Sequence, residues 1–265
     1  MSNENIRQIS WQDIISLAEV RQLPPGEIEK TCLQKGLTPA RYLRNMNAIS
    51  RDEQLRLLDA RVGVCGCGGL GLYIMSHLAR MGVGHLSVWD PDTFSESNLN
   101  RQLFASYASL GQSKVEVCRH FIQQINPAVA VTARKSYWED DRESIFKQQQ
   151  VIVDALDNIP SRLALAEACA EEKIPLIHGA VAGWYGQITV IMPGDKSLQV
   201  LYGSAVGKGI EQEQGTLPFT AAAIASMQAA EVIKLLLNRE TDLTGEICMV
   251  DLLDLSIERI KKTVT

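Results

Sequence analysis

The feature that most constrains this chain is a glycine turn set between a short apolar run and an amphipathic stretch. Residues 61–65 read Arg-Val-Gly-Val-Cys and lead into Gly66-Cys67-Gly68-Gly69-Leu70-Gly71. Leu70, Ile74, Leu78 and Met81 then recur at helical spacing, and Gly82 to Gly84 stop the run. Residues 85–89 form a second strand-like run that closes at Asp90. Strand, glycine turn, helix and strand make one βαβ unit. In such a unit the first glycine allows the tight bend, the second lets phosphate approach the backbone, and the third lets the helix pack close to the sheet. The helix N-terminus offers N–H donors to an anion. Asp90 follows the turn by about 20 residues, where a carboxylate can accept hydrogen bonds from ribose hydroxyls. A nucleotide is therefore expected on Gly66, Gly68, Gly69, Gly71 and Asp90. On the turn alone, NAD is the favoured one.

Further apolar runs alternate with helical stretches. Residues 113–124, 142–149 and 159–173 read as helices, and 128–133, 151–153 and 174–178 as strands. That alternation predicts an α/β fold: a Rossmann-like, mostly parallel sheet with helices on both faces. Past Trp184 the character changes. Residues 186–192 and 246–252 read as strands of a C-terminal antiparallel extension, with 255–262 continuing the second or turning into a short helix. Between them lie a polar crossover loop over about 193–217, of a length usually functional or disordered, and a strong helix over 219–237. The first 60 residues are rich in charge and helix formers. Residues 11–20 and 28–35 read as helices, and Thr38-Pro39 as the cap and first residue of a third. The expected division is a helical N-terminal appendage over 1–40 and one nucleotide-binding domain over 41–265.

Composition narrows the function classes. The net charge of −5 disfavours a protein whose main task is gripping nucleic acid. No run of 18 uncharged apolar residues occurs, so a membrane span is not expected, and the polar start Met1-Ser2-Asn3-Glu4-Asn5 lacks the apolar run of a secretory signal. The six cysteines include no Cys-x-x-Cys pair, which fits reduced thiols in a cytoplasmic protein.

Several residues separate ATP from NAD. After Asp90 come Asp92, Asn98, Arg101 and Gln102, then Lys114 at the start of a helix, and Asp157-Asn158 just beyond the strand at 151–153. A triphosphate needs positive groups and a carboxylate for Mg²⁺, and catalysis of its transfer rests on positioning and charge neutralisation. Arg101 can grip phosphate bidentately, and Lys114 supplies a point charge. Asp157 lies where ligands of open α/β sheets bind. A dehydrogenase needs neither the Arg/Lys pair nor the metal carboxylate.

Together these runs resemble the ThiF/MoeB/HesA family, bacterial relatives of the ubiquitin-activating enzymes. The likeness rests on Gly66-x-Gly68-Gly69-Leu70-Gly71, Asp90-x-Asp92, Ser97-Asn98-Leu99-x-Arg101-Gln102 and Gly111-Gln112-x-Lys114. It continues through Asp157-Asn158, Arg162, Pro175 to Ala180, Gly183-Trp184, Gly186-Gln187 and Gln228 to Glu231, covering roughly residues 40–252. The resemblance implies attack by the C-terminal glycine carboxylate of a small ubiquitin-like or sulfur-carrier protein on the α-phosphate of ATP. The products would be an acyl-adenylate and pyrophosphate, on the way to a sulfur-containing cofactor of the molybdopterin or thiamine type. It implies ATP on Gly69, Asp90, Asn98, Arg101 and Lys114, and Mg²⁺ on Asp157 with Asn158 beside it. It implies a homodimer in which Arg44, from Arg41-Tyr42-Leu43-Arg44, reaches the partner's ATP.

The chain departs from many relatives in lacking two Cys-x-x-Cys pairs, so no zinc is expected. The stretch over 193–217 holds no cysteine for a thioester or persulfide, which suggests a separate sulfur donor. Cys169 and Cys248 read as buried structural thiols, and His178 as a satisfied histidine at a strand end. Two alternatives remain at this stage. One is an NAD-binding oxidoreductase, and the other a non-catalytic scaffold member of the same family. Adenylation of a peptide or a tRNA base is a variant of the main reading, the tRNA form disfavoured by the acidic charge.

Overall fold

The computed structural model describes residues 7–203, 209 and 211–262. The polar start at residues 1–5, and residues 204–208 and 210 of the crossover loop, lie outside the described residues. The chain opens with β1 (Gln8–Ile9), α1 (Trp11–Arg21), α2 (Pro25–Gln34), β2 (Thr38–Pro39) and α3 (Arg51–Asp59). The βαβ units follow: β3 (Arg61–Cys65), α4 (Gly71–Met81), β4 (His85–Trp89), α5 (Lys114–Ile125) and β5 (Ala130–Arg134). Then come β6 (Val151–Asp154), α6 (Ile159–Glu172), β7 (Leu176–Ala182) and β8 (Tyr185–Ile191). The chain closes with α7 (Ser197–Tyr202), α8 (Glu211–Gln214), α9 (Pro218–Leu236), β9 (Glu246–Asp251) and β10 (Ser256–Lys261).

Eight strands form one sheet in the order β10-β9-β8-β7-β6-β3-β4-β5. The pairs from β7 to β5 are parallel, and β8, β9 and β10 add antiparallel. This is the expected α/β class with its antiparallel extension. From β3 the chain winds outward to β4 and β5, then returns across β3 to lay down β6 and β7 on the other side. The winding therefore reverses between β3 and β6, and a crevice opens beyond the C-terminal ends of those two strands.

Helices cover both faces. On one, α4, α5 and α9 close the larger apolar core, which holds Leu72, Ile74, Leu78, Val115, Ile122, Ile224 and Val232. On the other, α6 and two short 3₁₀ turns bury Trp138, Phe146, Leu165 and Cys169 against Trp89 and Ile152. Helix α9 has the length and apolar composition of a membrane span, but it packs on α4, β6, β7 and β8 as a core helix.

Four local expectations change. Thr38 does not cap a helix. It is buried and extended in β2, parallel to β1, with its N–H donating to Arg7 O at 2.8 Å. Pairing with β1, about 30 residues earlier in the chain, holds Thr38 in the strand instead. The helix expected over 142–149 contracts to turns and a 3₁₀ segment at Phe146–Gln148, because burying Phe146 against Trp138 outweighs the propensity of so short a run. Residues 255–262 double back: Leu255 takes φ 56° in the turn, and β10 pairs antiparallel with β9. The crossover loop is also not wholly irregular, since it contains α7 and α8.

The N-terminal helices have a small apolar cluster of their own, formed by Ile9, Ile14, Ala18, Ile28 and Cys32. A buried polar network ties them to the sheet domain. Tyr42 donates its hydroxyl hydrogen to Glu29 Oε2 at 3.2 Å and accepts from Asn126 Nδ2 at 2.8 Å. Arg41 pairs with Glu29 at 3.2 Å, bonds Asn126 Oδ1 and lies over the Trp11 ring at 4.5 Å. Glu29 is fully buried, and that burial pushes its carboxyl pKa up despite the Arg41 charge.

The approach of α4 to β3 depends on Gly71. A methyl group there would sit 2.0 Å from Gly66 O, a contact with backbone that no rotamer change relieves. Gly71→Ala is expected to destabilise the fold by at least about 1–3 kcal/mol, the range for overpacking. A denaturant titration with an unchanged midpoint would contradict this.

Candidate active site

The crevice at the β3/β6 switch point has a volume of about 540 Å³. Its floor is the glycine turn. Gly66 sits at φ 102°, in the left-handed region, and a side chain there would meet Ala155 O at 2.4 Å. Its N–H is tied to Trp89 O at 2.9 Å, so the turn is sewn to the end of β4. Gly68 has no atom closer than Gln102 Nε2 at 3.8 Å from where a side chain would begin, which leaves its backbone open to a ligand. Gly71 does not line the crevice; its part is the helix packing described above.

Asp90, at the end of β4, is buried. Its Oδ2 accepts from Cys67 N at 2.7 Å, and its Oδ1 from Asp92 N at 2.8 Å. One carboxylate thus organises both the glycine turn and the loop after β4 while facing the crevice. Lys114 opens α5, whose start is docked to that loop by Lys114 N donating to Asp92 O at 3.1 Å. The same docking aims its side chain inward. The ammonium is buried, 2.9 Å from Asp92 and 3.8 Å from Asp90. An ammonium out of water needs such partners, and here they are two carboxylates of the crevice wall.

Asn98 and Gln102 are buried in the wall between β4 and α5, and Arg101 lies between them in the chain. Asn98 Oδ1 accepts from Ser95 N at 3.0 Å, which closes the turn that carries Arg101. The Arg101 stem runs beside Gly69, and its guanidinium donates to Ser97 O at 3.0 Å and Asn100 Oδ1 at 2.8 Å. Gln102 Oε1 is buried with no hydrogen-bond partner among the described residues, an acceptor that a ligand hydroxyl or amine would satisfy.

The opposite wall comes from β6 and α6. Asn158, rather than Asp157, is the N-cap of α6, its side chain accepting from Ser161 N at 2.9 Å. Asp157 is exposed in the crevice, with Asn158 Nδ2 3.5 Å from its Oδ1. Among the described residues no group of three or more His, Cys, Asp or Glu could hold a metal ion. Magnesium commonly takes one or two protein carboxylates plus substrate phosphates and water, so a single carboxylate beside a phosphate cradle fits that ion.

The structure therefore gathers Gly66, Gly68, Gly69, Asp90, Asp92, Asn98, Arg101, Gln102, Lys114, Asp157 and Asn158 around one crevice. Arg44 is not in its lining; the side chain is exposed, while its neighbours Arg41 and Tyr42 turn into the N-terminal network. The lining also includes Tyr137, Trp138 and Glu139, which sequence reasoning missed. Their one available signal was position, just beyond the C-terminal end of a parallel strand. His178 is the satisfied histidine expected: fully buried on β7, opposite Asp154 in the register. All six cysteines are buried, Cys169 and Cys248 among them.

Comparison with known proteins agrees with this geometry. The family model described as the ThiF family matches residues 42–264. The SAMP-activating enzyme E1 of Haloferax volcanii is 34% identical over 226 residues, covering 83% of this chain and 84% of that protein. The molybdopterin-synthase adenylyltransferase of Salmonella typhimurium is 36% identical over 214 residues, covering 78% and 85%. In fold, the chain superposes on E. coli MccB crystallised with ATP at a TM-score of 0.70 and 19% identity, covering 85% of this chain and 72% of that one. With a crevice of this construction and relatives matched over most of their length, the chain belongs to the ThiF family.

Proposed function

We propose that the protein is an ATP-dependent adenylyltransferase that activates the C-terminal glycine carboxylate of a ubiquitin-like sulfur-carrier protein. The carrying observation is the convergence of Arg101, Lys114 and Asp157 on a crevice floored by an open glycine turn. Two relatives whose names describe SAMP activation and molybdopterin-synthase adenylylation support the carrier class. The pathway served is of the sulfur-containing cofactor kind. An oxidoreductase reading gains nothing from this crevice, where a buried ammonium and an arginine line the nucleotide wall. A scaffold that had lost activity would have no need to keep them.

In this reading ATP lies with its phosphates over Gly68 and Gly69 and its ribose toward Asp90. The carrier carboxylate, ionised at neutral pH, needs no general base. Its oxygen forms the new bond to the α-phosphorus as the bond to the pyrophosphate oxygen breaks. Arg101 and Lys114 stabilise the charge spread over the transferring group, at a site built before reaction begins. Lys114 shifts from Asp92, whose side chain is 66% exposed and readily rehydrated, toward phosphate. Magnesium held by Asp157 would neutralise charge on the departing pyrophosphate.

Arg44 belongs to a second copy's site in a homodimer, which accounts for its exposure on one chain. The cysteines support transfer of the acyl-adenylate to a separate sulfur donor. Burial raises the pKa of Cys65, Cys67 and Cys169, so none of these is poised as a thiolate nucleophile.

The test is ATP–pyrophosphate exchange with a small carrier ending in Gly-Gly. Arg101→Ala is expected to lower kcat by about 10²–10³-fold, as for loss of one charge-stabilising donor, and chelation of magnesium to abolish exchange. Full exchange by Arg101→Ala, or NAD binding without magnesium-ATP binding, would overturn the reading. Arg44→Ala and Lys114→Ala are each expected to be weak alone and to recover part of the activity when mixed, because mixed dimers contain one complete site. Mixing without recovery removes Arg44 from the partner's site.

A further inference from the structure

The polar cluster behind the crevice does more than satisfy buried groups. Tyr202 closes α7, in the crossover segment, and its ring is half-buried against α6 and the smaller core. Its hydroxyl meets three partners: His178 Nε2 at 3.0 Å, Gln187 Nε2 at 2.9 Å and Arg162 Nη1 at 3.1 Å. The donor roles are fixed by the neighbours. Burial lowers the His178 pKa, so the ring is neutral near pH 7, and Nδ1, 2.7 Å from Asp154 Oδ2, carries its proton. Nε2 is then an acceptor for the phenolic hydrogen, and the phenolic oxygen accepts from Gln187 and Arg162.

Arg162, also buried, lies between that hydroxyl and the crevice. Its Nε and Nη2 donate to Leu156 O at 3.3 and 2.8 Å, and Leu156 N donates to Asp154 Oδ1 at 2.9 Å. Leu156 is the residue before Asp157 and lines the crevice with it. The loop that presents Asp157 is thus clamped on its carbonyl side by Arg162 and on its amide side by Asp154. Both clamps are oriented from behind by groups that converge on Tyr202.

We propose that Tyr202 is a positioning residue for Asp157, its hydroxyl holding Arg162 against Leu156, so that seating of α7 sets the metal carboxylate. This rests on the reading of Asp157 as the magnesium ligand. Removing an outer-shell partner of a metal ligand typically changes metal affinity by about 10–100-fold, and Tyr202, acting through Arg162 and Leu156, is set at the low end of that range.

The test is calorimetric binding of α,β-methylene-ATP by the full chain over a Mg²⁺ series. Tyr202→Phe keeps the ring and removes the hydroxyl. It is expected to raise the Mg²⁺ concentration for half-maximal binding by about tenfold. Binding without metal should be unchanged, and excess Mg²⁺ should restore wild-type affinity. Asp157→Asn must shift the Mg²⁺ series as well. If it does not, the metal reading fails and the inference falls with it. If Asp157→Asn shifts the series but Tyr202→Phe does not, or weakens binding equally with and without metal, the inference alone is overturned. Should Tyr202→Phe not fold, Gln187→Met removes one partner of the same hydroxyl. A smaller shift in the same direction supports the proposal, and an unmoved series refutes it.

Discussion

Helix α4 can follow β3 as closely as it does only because residue 71 carries no side chain, and the crevice is built on that approach. With the helix seated against Gly66 O, its N-terminus points across the ends of β3 and β6. Gly66 N is then close enough to bond Trp89 O, and Cys67 N to bond Asp90. The glycine turn, the Asp90 carboxylate and the end of β4 are one hydrogen-bonded unit. A displaced α4 would disturb all of it together.

The rest of the site hangs on charges that burial obliges to be paired. Lys114 is held by Asp92 and Asp90, so its ammonium is fixed at the wall of the crevice. The partner with the shorter contact is the more exposed carboxylate. On the far wall, Arg162 and Asp154 perform the equivalent service for the Asp157 loop, with Tyr202 and His178 behind them.

The N-terminal region shows how a surface segment can be held by interior chemistry. Its helices have a small apolar cluster, and the attachment to the sheet domain runs through Glu29, Arg41, Tyr42 and Asn126. Glu29 is the least comfortable of these groups, since its burial opposes ionisation while Arg41 favours it. The network fixes Arg41 and Tyr42 and leaves Arg44 of the same short segment exposed.

Much was legible from spacing alone. The glycine turn, the apolar periodicity of α4 and the alternation of strands with helices determined the α/β class, because each reports a local rule: backbone freedom at a turn, a buried helix face, a buried strand. Lys114 and Asp157 could be picked out because each stands at the end of a predicted element, and Arg101 because a guanidinium can grip phosphate bidentately. The residues missed, Tyr137 to Glu139, come from a 3₁₀ turn whose place depends on how β5 lies across the sheet, and no local rule encodes that. Thr38 was misread because pairing of β2 with β1 requires knowing that residues about 30 apart in the chain are neighbours. What tertiary structure alone decided was the pairing of polar groups far apart in sequence: Lys114 with Asp90, Tyr202 with His178 and Arg162, Glu29 with Tyr42 and Arg41. Periodicity tells which side chains are buried, but only the packed chain tells which buried charge meets which partner.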